Sequence, residues 1–133
     1  MVQKMTKNIK TLTEEAYQTV EDISIEQAKA LLNDDAYVFV DVREADERRK
    51  LGVIPGTFTC PRGMLEFLID PEFPAHNPVF AQDKTFIFYC AGGLRSLYAA
   101  KLAAEMGIGS VKNLAGGFVA WKEFSGEIQP EVG

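Results

Sequence analysis

Thr85-Phe86-Ile87-Phe88-Tyr89 is the strongest strand signal in the chain, a run of β-favouring residues with bulky apolar side chains at odd and even positions alike. A strand with one wet face alternates apolar and polar residues. A continuous run must be covered on both faces, which is the situation in parallel sheets. Tyr37-Val38-Phe39-Val40 is a second run of the same kind. Parallel neighbours need long crossovers, normally helices, so these two segments direct the chain towards an α/β domain.

The remaining segments supply those crossovers. Thr11-Leu12-Thr13-Glu14 has the form of a capping box and predicts a helix running to about Val20. Glu21–Ile23 reads as a brief strand, and Ser24-Ile25-Glu26-Gln27 caps a short helix carrying Ala28, Leu31 and Leu32 on one face. Glu44–Leu51 reads as a charged surface helix stopped by Gly52, Thr57–Cys60 as a short strand ended by Pro61, and Gly63–Ile69 as another helix. Asp70–Asp83 holds three prolines and no periodic apolar pattern, which predicts a long loop. Leu94–Met106 reads as a helix with Tyr98, Leu102 and Met106 along one face; Val111–Leu114 follows as a strand, and Gly116-Gly117 opens a helix to about Phe124. No internal repeat is present.

The chain of 133 residues suits one domain, and 47% hydrophobic residues suffice for a real core. Fourteen Lys and Arg against 19 Asp and Glu leave a net charge of −5, with no basic cluster, which argues against nucleic acid as a partner. No apolar run is long enough to span a bilayer, and the start of the chain lacks a secretory signal pattern. These features predict a soluble, cytoplasmic protein without a membrane partner. Two cysteines make no disulfide framework and are read as two separate thiols, Cys60 and Cys90.

Cys90 ends the strongest strand and opens the loop Cys90-Ala91-Gly92-Gly93-Leu94-Arg95-Ser96. In parallel sheets, sites form beyond the carboxyl ends of the strands. Gly92 and Gly93 permit backbone angles that would curl the loop amides inward, the following helix adds its N-terminal positive end, and Arg95 adds a permanent cation. All of these favour a thiolate, whose pKa would lie below the roughly 8.5 of a free thiol. A small buried hydrophobe is the competing reading of Cys90. The strand–Cys–loop–helix pattern alone does not separate the two, whereas Arg95 and the paired glycines favour a reactive, anion-cradling thiolate.

The residues Cys90, Gly93, Arg95 and Ser96 resemble the Cys-x-x-Gly-x-Arg-Ser/Thr loop of the rhodanese family of single-domain sulfurtransferases. Val40-Asp41-Val42-Arg43-Glu44, Ile54-Pro55-Gly56 and Leu114-Ala115-Gly116-Gly117-Phe118-Val119-Ala120-Trp121 resemble the family's other motifs, in the same order. The resemblance implies a five-stranded parallel sheet flanked by helices on both faces. It also implies an N-terminal helical extension over 1–22, a rhodanese-like domain over 23–126 and a tail over 127–133. The implied activity moves a sulfane sulfur from thiosulfate or a related small anionic donor, through a persulfide on Cys90, to cyanide or a thiol. A protein acceptor is allowed. Residues Ala91, Gly92, Gly93, Leu94, Arg95 and Ser96 would bind the donor and the persulfide, with no metal and no organic cofactor. The alternatives are a non-enzymatic persulfide carrier or binding module, and a cysteine phosphatase or arsenate reductase. Phosphatases of related mechanism have one more residue between Cys and Arg than the four found here.

The other candidates have duller readings. Asp41 and Arg43 are expected to be scaffold rather than chemistry, and Arg62 either lines the pocket mouth or lies on the surface. Cys60 is expected to be a buried thiol, His76 an exposed loop residue, and Trp121 part of the core.

Overall fold

The computed structural model describes residues 2–131. Met1, Val132 and Gly133, which belong to the expected extension and tail, lie outside the described residues. The strands are β1 (Glu21–Ile23), β2 (Tyr37–Asp41), β3 (Phe58–Thr59), β4 (Thr85–Tyr89) and β5 (Val111–Leu114). They form one sheet in the order β1-β5-β4-β2-β3, with every pairing parallel. The helices are α1 (Ile9–Tyr17), α2 (Ile25–Ala30), α3 (Ala45–Leu51), α4 (Leu65–Ile69), α5 (Leu94–Met106) and α6 (Gly117–Glu123). Strand β4 occupies the middle of the sheet, so its carboxyl end opens between two neighbours.

The apolar runs do what their composition requires. Phe86 and Phe88 of β4 pack into one core with Ala16, Leu65, Leu97, Ala100 and Ala103, which α1, α4 and α5 supply. Ile87 and Tyr89 face the other way, into a second core with Ile25, Ala28, Phe118 and Trp121 from α2 and α6. Each fully buried side chain of this size contributes about 1.5–3 kcal/mol.

Several elements differ in detail from their sequence pattern. Helix α1 begins before Thr11, because Asn8 is the cap and its Oδ1 accepts from Thr11 N at 2.9 Å; the helix closes at Tyr17. The capping box of Ser24 and Gln27 on α2 is complete. On α5 the buried stripe is Ser96, Leu97, Ala99, Ala100 and Ala103. Tyr98 and Leu102 only flank it and Met106 is exposed, because small alanines let this helix lie close against the sheet. The segment expected as one helix from Gly63 is a 3₁₀ turn, Arg62–Met64, followed by α4. The loop Asp70–Asp83 contains a 3₁₀ turn, Pro78–Ala81, capped by the Asn77 side chain and anchored by buried Phe80.

Helix α1 and the described segment after α6 are both fastened to the domain. Thr13 Oγ1 lies 2.7 Å from Tyr98 Oη, joining α1 to α5. After α6, the chain turns back: Gln129 pairs with Val53 in an antiparallel bridge, Trp121 Nε1 donates to Glu127 O at 2.8 Å, and Glu131 pairs with Arg48. Arg48 is therefore buried, although α3 reads as a surface helix.

Candidate active site

Strand β4 delivers Cys90 at its carboxyl end, and the chain reverses through Ala91, Gly92 and Gly93 into α5. The turn is built by carbonyls facing one way and amides the other. Cys90 O accepts from Phe118 N at 2.8 Å and Ala91 O from Val119 N at 3.0 Å, so the first turn of α6 holds both carbonyls. With these turned away, N–H groups of the loop face the sulfur. Gly93 N donates to Cys90 Sγ at 3.1 Å, Ser96 N at 3.4 Å, and Ser96 Oγ lies 3.4 Å from the same atom.

The two loop glycines are not equivalent. Gly93 has φ of 103°, the left-handed backbone that favours glycine, while a Cβ there would make only ordinary contact with Gly116 N and Leu114 O at 3.4 Å. Gly92 has no left-handed backbone and open space where a Cβ would be. It bears on the site through its exposure at the mouth and through its amide.

Cys90 is only 1% exposed, and burial, the largest single influence on its thiol, pushes its pKa up. Hydrogen bonds from the Ser96 hydroxyl, the Ser96 amide and the Gly93 and Gly92 amides together outweigh it, so the pKa is lowered overall. Donors in the loop, rather than a nearby cation, thus carry most of the thiolate's stabilisation. Arg95 is within electrostatic reach of Cys90, but its guanidinium is engaged elsewhere: Nη1 and Nη2 donate to Glu47 Oε1 and Oε2, each at 2.8 Å. The Arg95 fork, and secondarily the Glu44 amide, hold the Glu47 carboxyl at about 2 against an opposing push from burial. Leu94 is exposed beside Arg95, and Ala91 is half-buried.

Two residues that sequence reasoning passed over complete the site. One is Glu47. The other is Asn113 on β5, 1% exposed, whose Oδ1 accepts from Ser96 Oγ at 2.6 Å. Its Nδ2 donates to Gly93 O and to Asp22 Oδ1, both at 3.0 Å, and Asp22 accepts in turn from Tyr17 Oη. A buried asparagine in a strand is uncommon enough to serve as a signal. Here it locks the loop to β5, the strand beside β4.

The remaining candidates stay outside the chemistry. Asp41 and Arg43 are both fully buried and paired at 2.8 Å; Arg43 also donates to Gly52 O and lies 4.2 Å over the Phe118 ring. Cys60 is fully buried in the same core as Cys90, and burial pushes its thiol to about 12. Arg62 pairs with Glu66. His76 is half-buried rather than exposed, because its Nδ1 contacts Leu68 O at 2.9 Å. Trp121 is in the core. Among the described residues no three His, Cys, Asp or Glu side chains gather to hold a metal, and no helix is long and apolar enough to cross a membrane.

Comparison with known proteins adds relatives to this geometry. Residues 24–124 match the description of the rhodanese-like domain. Rhodanese-like domain-containing protein 17 of Arabidopsis thaliana is 33% identical over 120 residues, covering 84% of this chain and 74% of that protein. The human thiosulfate:glutathione sulfurtransferase is 29% identical over 107 residues, covering 76% of this chain and 92% of the relative. Among solved structures, a Rhodopseudomonas palustris protein of unknown function, described as a possible tyrosine phosphatase, superposes with a TM-score of 0.93. It is 46% identical, over 97% of this chain and 99% of that one.

Proposed function

The chain belongs to the rhodanese-like domain family and is related to sulfurtransferases, and from that premise we propose that Cys90 carries a sulfane sulfur from thiosulfate, or a related anionic donor, to cyanide or a thiol. The observation that carries this reading is the coordination of Cys90 Sγ, a nearly buried sulfur surrounded by N–H and O–H donors of Gly93 and Ser96. A cradle of this size stabilises one anionic sulfur and, after transfer, the terminal sulfur of a persulfide.

The Cys90 thiolate attacks the outer sulfur of thiosulfate. A bond forms between the two sulfurs, the donor's S–S bond breaks, and sulfite leaves with the bonding pair. Cys90 then carries an anionic persulfide, and total charge is conserved. Cyanide attacks the terminal sulfur, thiocyanate departs, and the Cys90 thiolate is restored; a thiolate acceptor leaves as its own persulfide. This is double-displacement covalent catalysis. The amides from Ala91 to Ser96 hold the transferred sulfur, Leu94 and Gly92 border the mouth, and Arg95 attracts the anionic part of the donor. Two unpaired thiols support a reducing, cytoplasmic setting.

The description of the Rhodopseudomonas relative invites a phosphatase reading. Four residues between Cys90 and Arg95 make a ring suited to one sulfur atom rather than to a tetrahedral phosphate. The test is thiocyanate formation from thiosulfate and cyanide by wild type and Cys90→Ser, with intact mass after thiosulfate alone. The reading expects one added sulfur and turnover in wild type, and neither in the variant. Equal thiocyanate from both proteins overturns it. Hydrolysis of an aryl phosphate that disappears in Cys90→Ser would replace it with the phosphatase, and a stable added sulfur without turnover would replace it with a carrier.

A further inference from the structure

Arg95 is within electrostatic reach of the Cys90 sulfur, yet its fork is occupied. Both terminal nitrogens donate to Glu47, which is fixed from behind because its Oε1 also accepts from Glu44 N at 3.1 Å. Glu47 thus closes the capping box of α3 and clamps Arg95 with the same carboxylate. The neighbouring Glu44 adds a second negative charge that Arg95 feels, and Arg62, on the turn that packs against α5, is tied to Glu66. An anion drawn to Arg95 therefore meets a guanidinium whose charge two carboxylates screen. The pair is reachable, since the Arg95 side chain is 43% exposed and Glu47 28%.

We propose that Glu47 is a specificity-determining residue, which screens Arg95 and biases the donor site away from small dianions and towards donors that carry a single negative charge. The proposal rests on the sulfur-transfer reading of Cys90 for its meaning. Its physical content is the charge dependence of anion binding beside Arg95. Coulomb energy is linear in the ligand's charge, so removing one screening carboxylate changes the affinity of a dianion by the square of the factor for a monoanion.

Thiosulfate and methanethiosulfonate form the matching pair of probes, because both carry a sulfane sulfur and they differ by one charge. Transfer from methanethiosulfonate balances in the same way: the S–S bond breaks and methanesulfinate leaves. Glu47→Gln is the variant, since its amide oxygen can still accept from Glu44 N and keep the α3 cap. Binding is measured in the Cys90→Ser background, where no sulfur can be transferred, by following the Gly93 and Ser96 amide resonances with and without the Glu47→Gln substitution.

The expected result is a Kd lower by about threefold for methanethiosulfonate and about tenfold for thiosulfate in Glu47→Gln. Half-molar salt should compress both factors. With Cys90 intact, KM should fall in the same order. Equal factors for the two anions, weaker binding of both, or no binding of either overturns the proposal; weakening of both is what a purely structural Glu47 produces. If neither donor loads sulfur onto wild-type Cys90, the sulfur-transfer reading falls, while the ratio of Kd values still reports on Glu47.

Discussion

Ser96 has one hydroxyl proton and two acceptors within reach, Asn113 Oδ1 at 2.6 Å and Cys90 Sγ at 3.4 Å. The shorter contact takes the proton while Cys90 is a thiol, and the thiol can then donate to Ser96 Oγ. On ionisation the hydroxyl gains a charged acceptor, so it is the adjustable donor of the cradle, and the Gly93 and Ser96 amides are the fixed ones. The sign for Ser96→Ala follows. The folded Cys90 pKa is lowered by donors to the charged form, so losing one moves it back up and reduces the thiolate fraction at neutral pH. The rate of alkylation by iodoacetamide against pH should shift to higher pH; an unmoved curve would sink the assignment. Cys60 stays silent in this assay because burial pushes it to about 12. The same change leaves Asn113 Oδ1 without its donor, at a cost of about 1–3 kcal/mol in urea denaturation.

Helix α6 acts on the site through its first turn. Phe118 N and Val119 N hold the Cys90 and Ala91 carbonyls, and that contact is close enough to exclude any side chain at Gly117. A Cβ there would meet both carbonyl oxygens at 2.6 Å, and φ of 63° would be strained besides. Gly117→Ala should therefore cost about 3 kcal/mol or more in denaturation midpoint terms and slow sulfur transfer, since it pushes on the loop itself. Gly92→Ala provides the contrast: with open space around its Cβ position, its stability should stay within about 0.5 kcal/mol of wild type. Equal destabilisation by both would mean that the loop, and not its seat on α6, is the sensitive part.

At the scale of the molecule, the Asp41–Arg43 pair joins parts distant in sequence. Arg43 reaches Asp41, Gly52 O and the face of Phe118, and its own carbonyl accepts from Arg48 Nη1 at 2.7 Å. Arg48 in turn pairs with Glu131 in the returning chain. The carboxyl ends of β2 and β4 and the start of α6 therefore meet at one buried ion pair, to which Arg48 links the last described residues. Removing one partner of such a pair strands a charge and costs about 3–5 kcal/mol, a large share of the roughly 5–15 kcal/mol that keeps a domain folded. Asp41→Ala should lose that much in a urea titration. A loss under about 1 kcal/mol would show that water reaches Arg43.

The layered α/β architecture was already dictated by the amino-acid sequence, because apolar runs such as Thr85–Tyr89 can be satisfied only between two layers of helices. Cys90 and its loop were marked there too, because a thiol followed by glycines, an arginine and a helix start is a local pattern that needs no distant partner to be read. Left undecided were the contacts made across the sheet and between crossovers. Folding placed Asn113 of β5 against Ser96, and Glu47 of α3 against Arg95. It also turned Gly92 and Gly93 into two different requirements, and stood Ala99, Ala100 and Ala103 rather than Met106 against the core. The reason is physical: periodicity and turn chemistry act over a few residues, whereas the charge around Arg95 and the seat of the loop depend on which strand lies next to which. The sequence named the sulfur; the sheet order decided its neighbours.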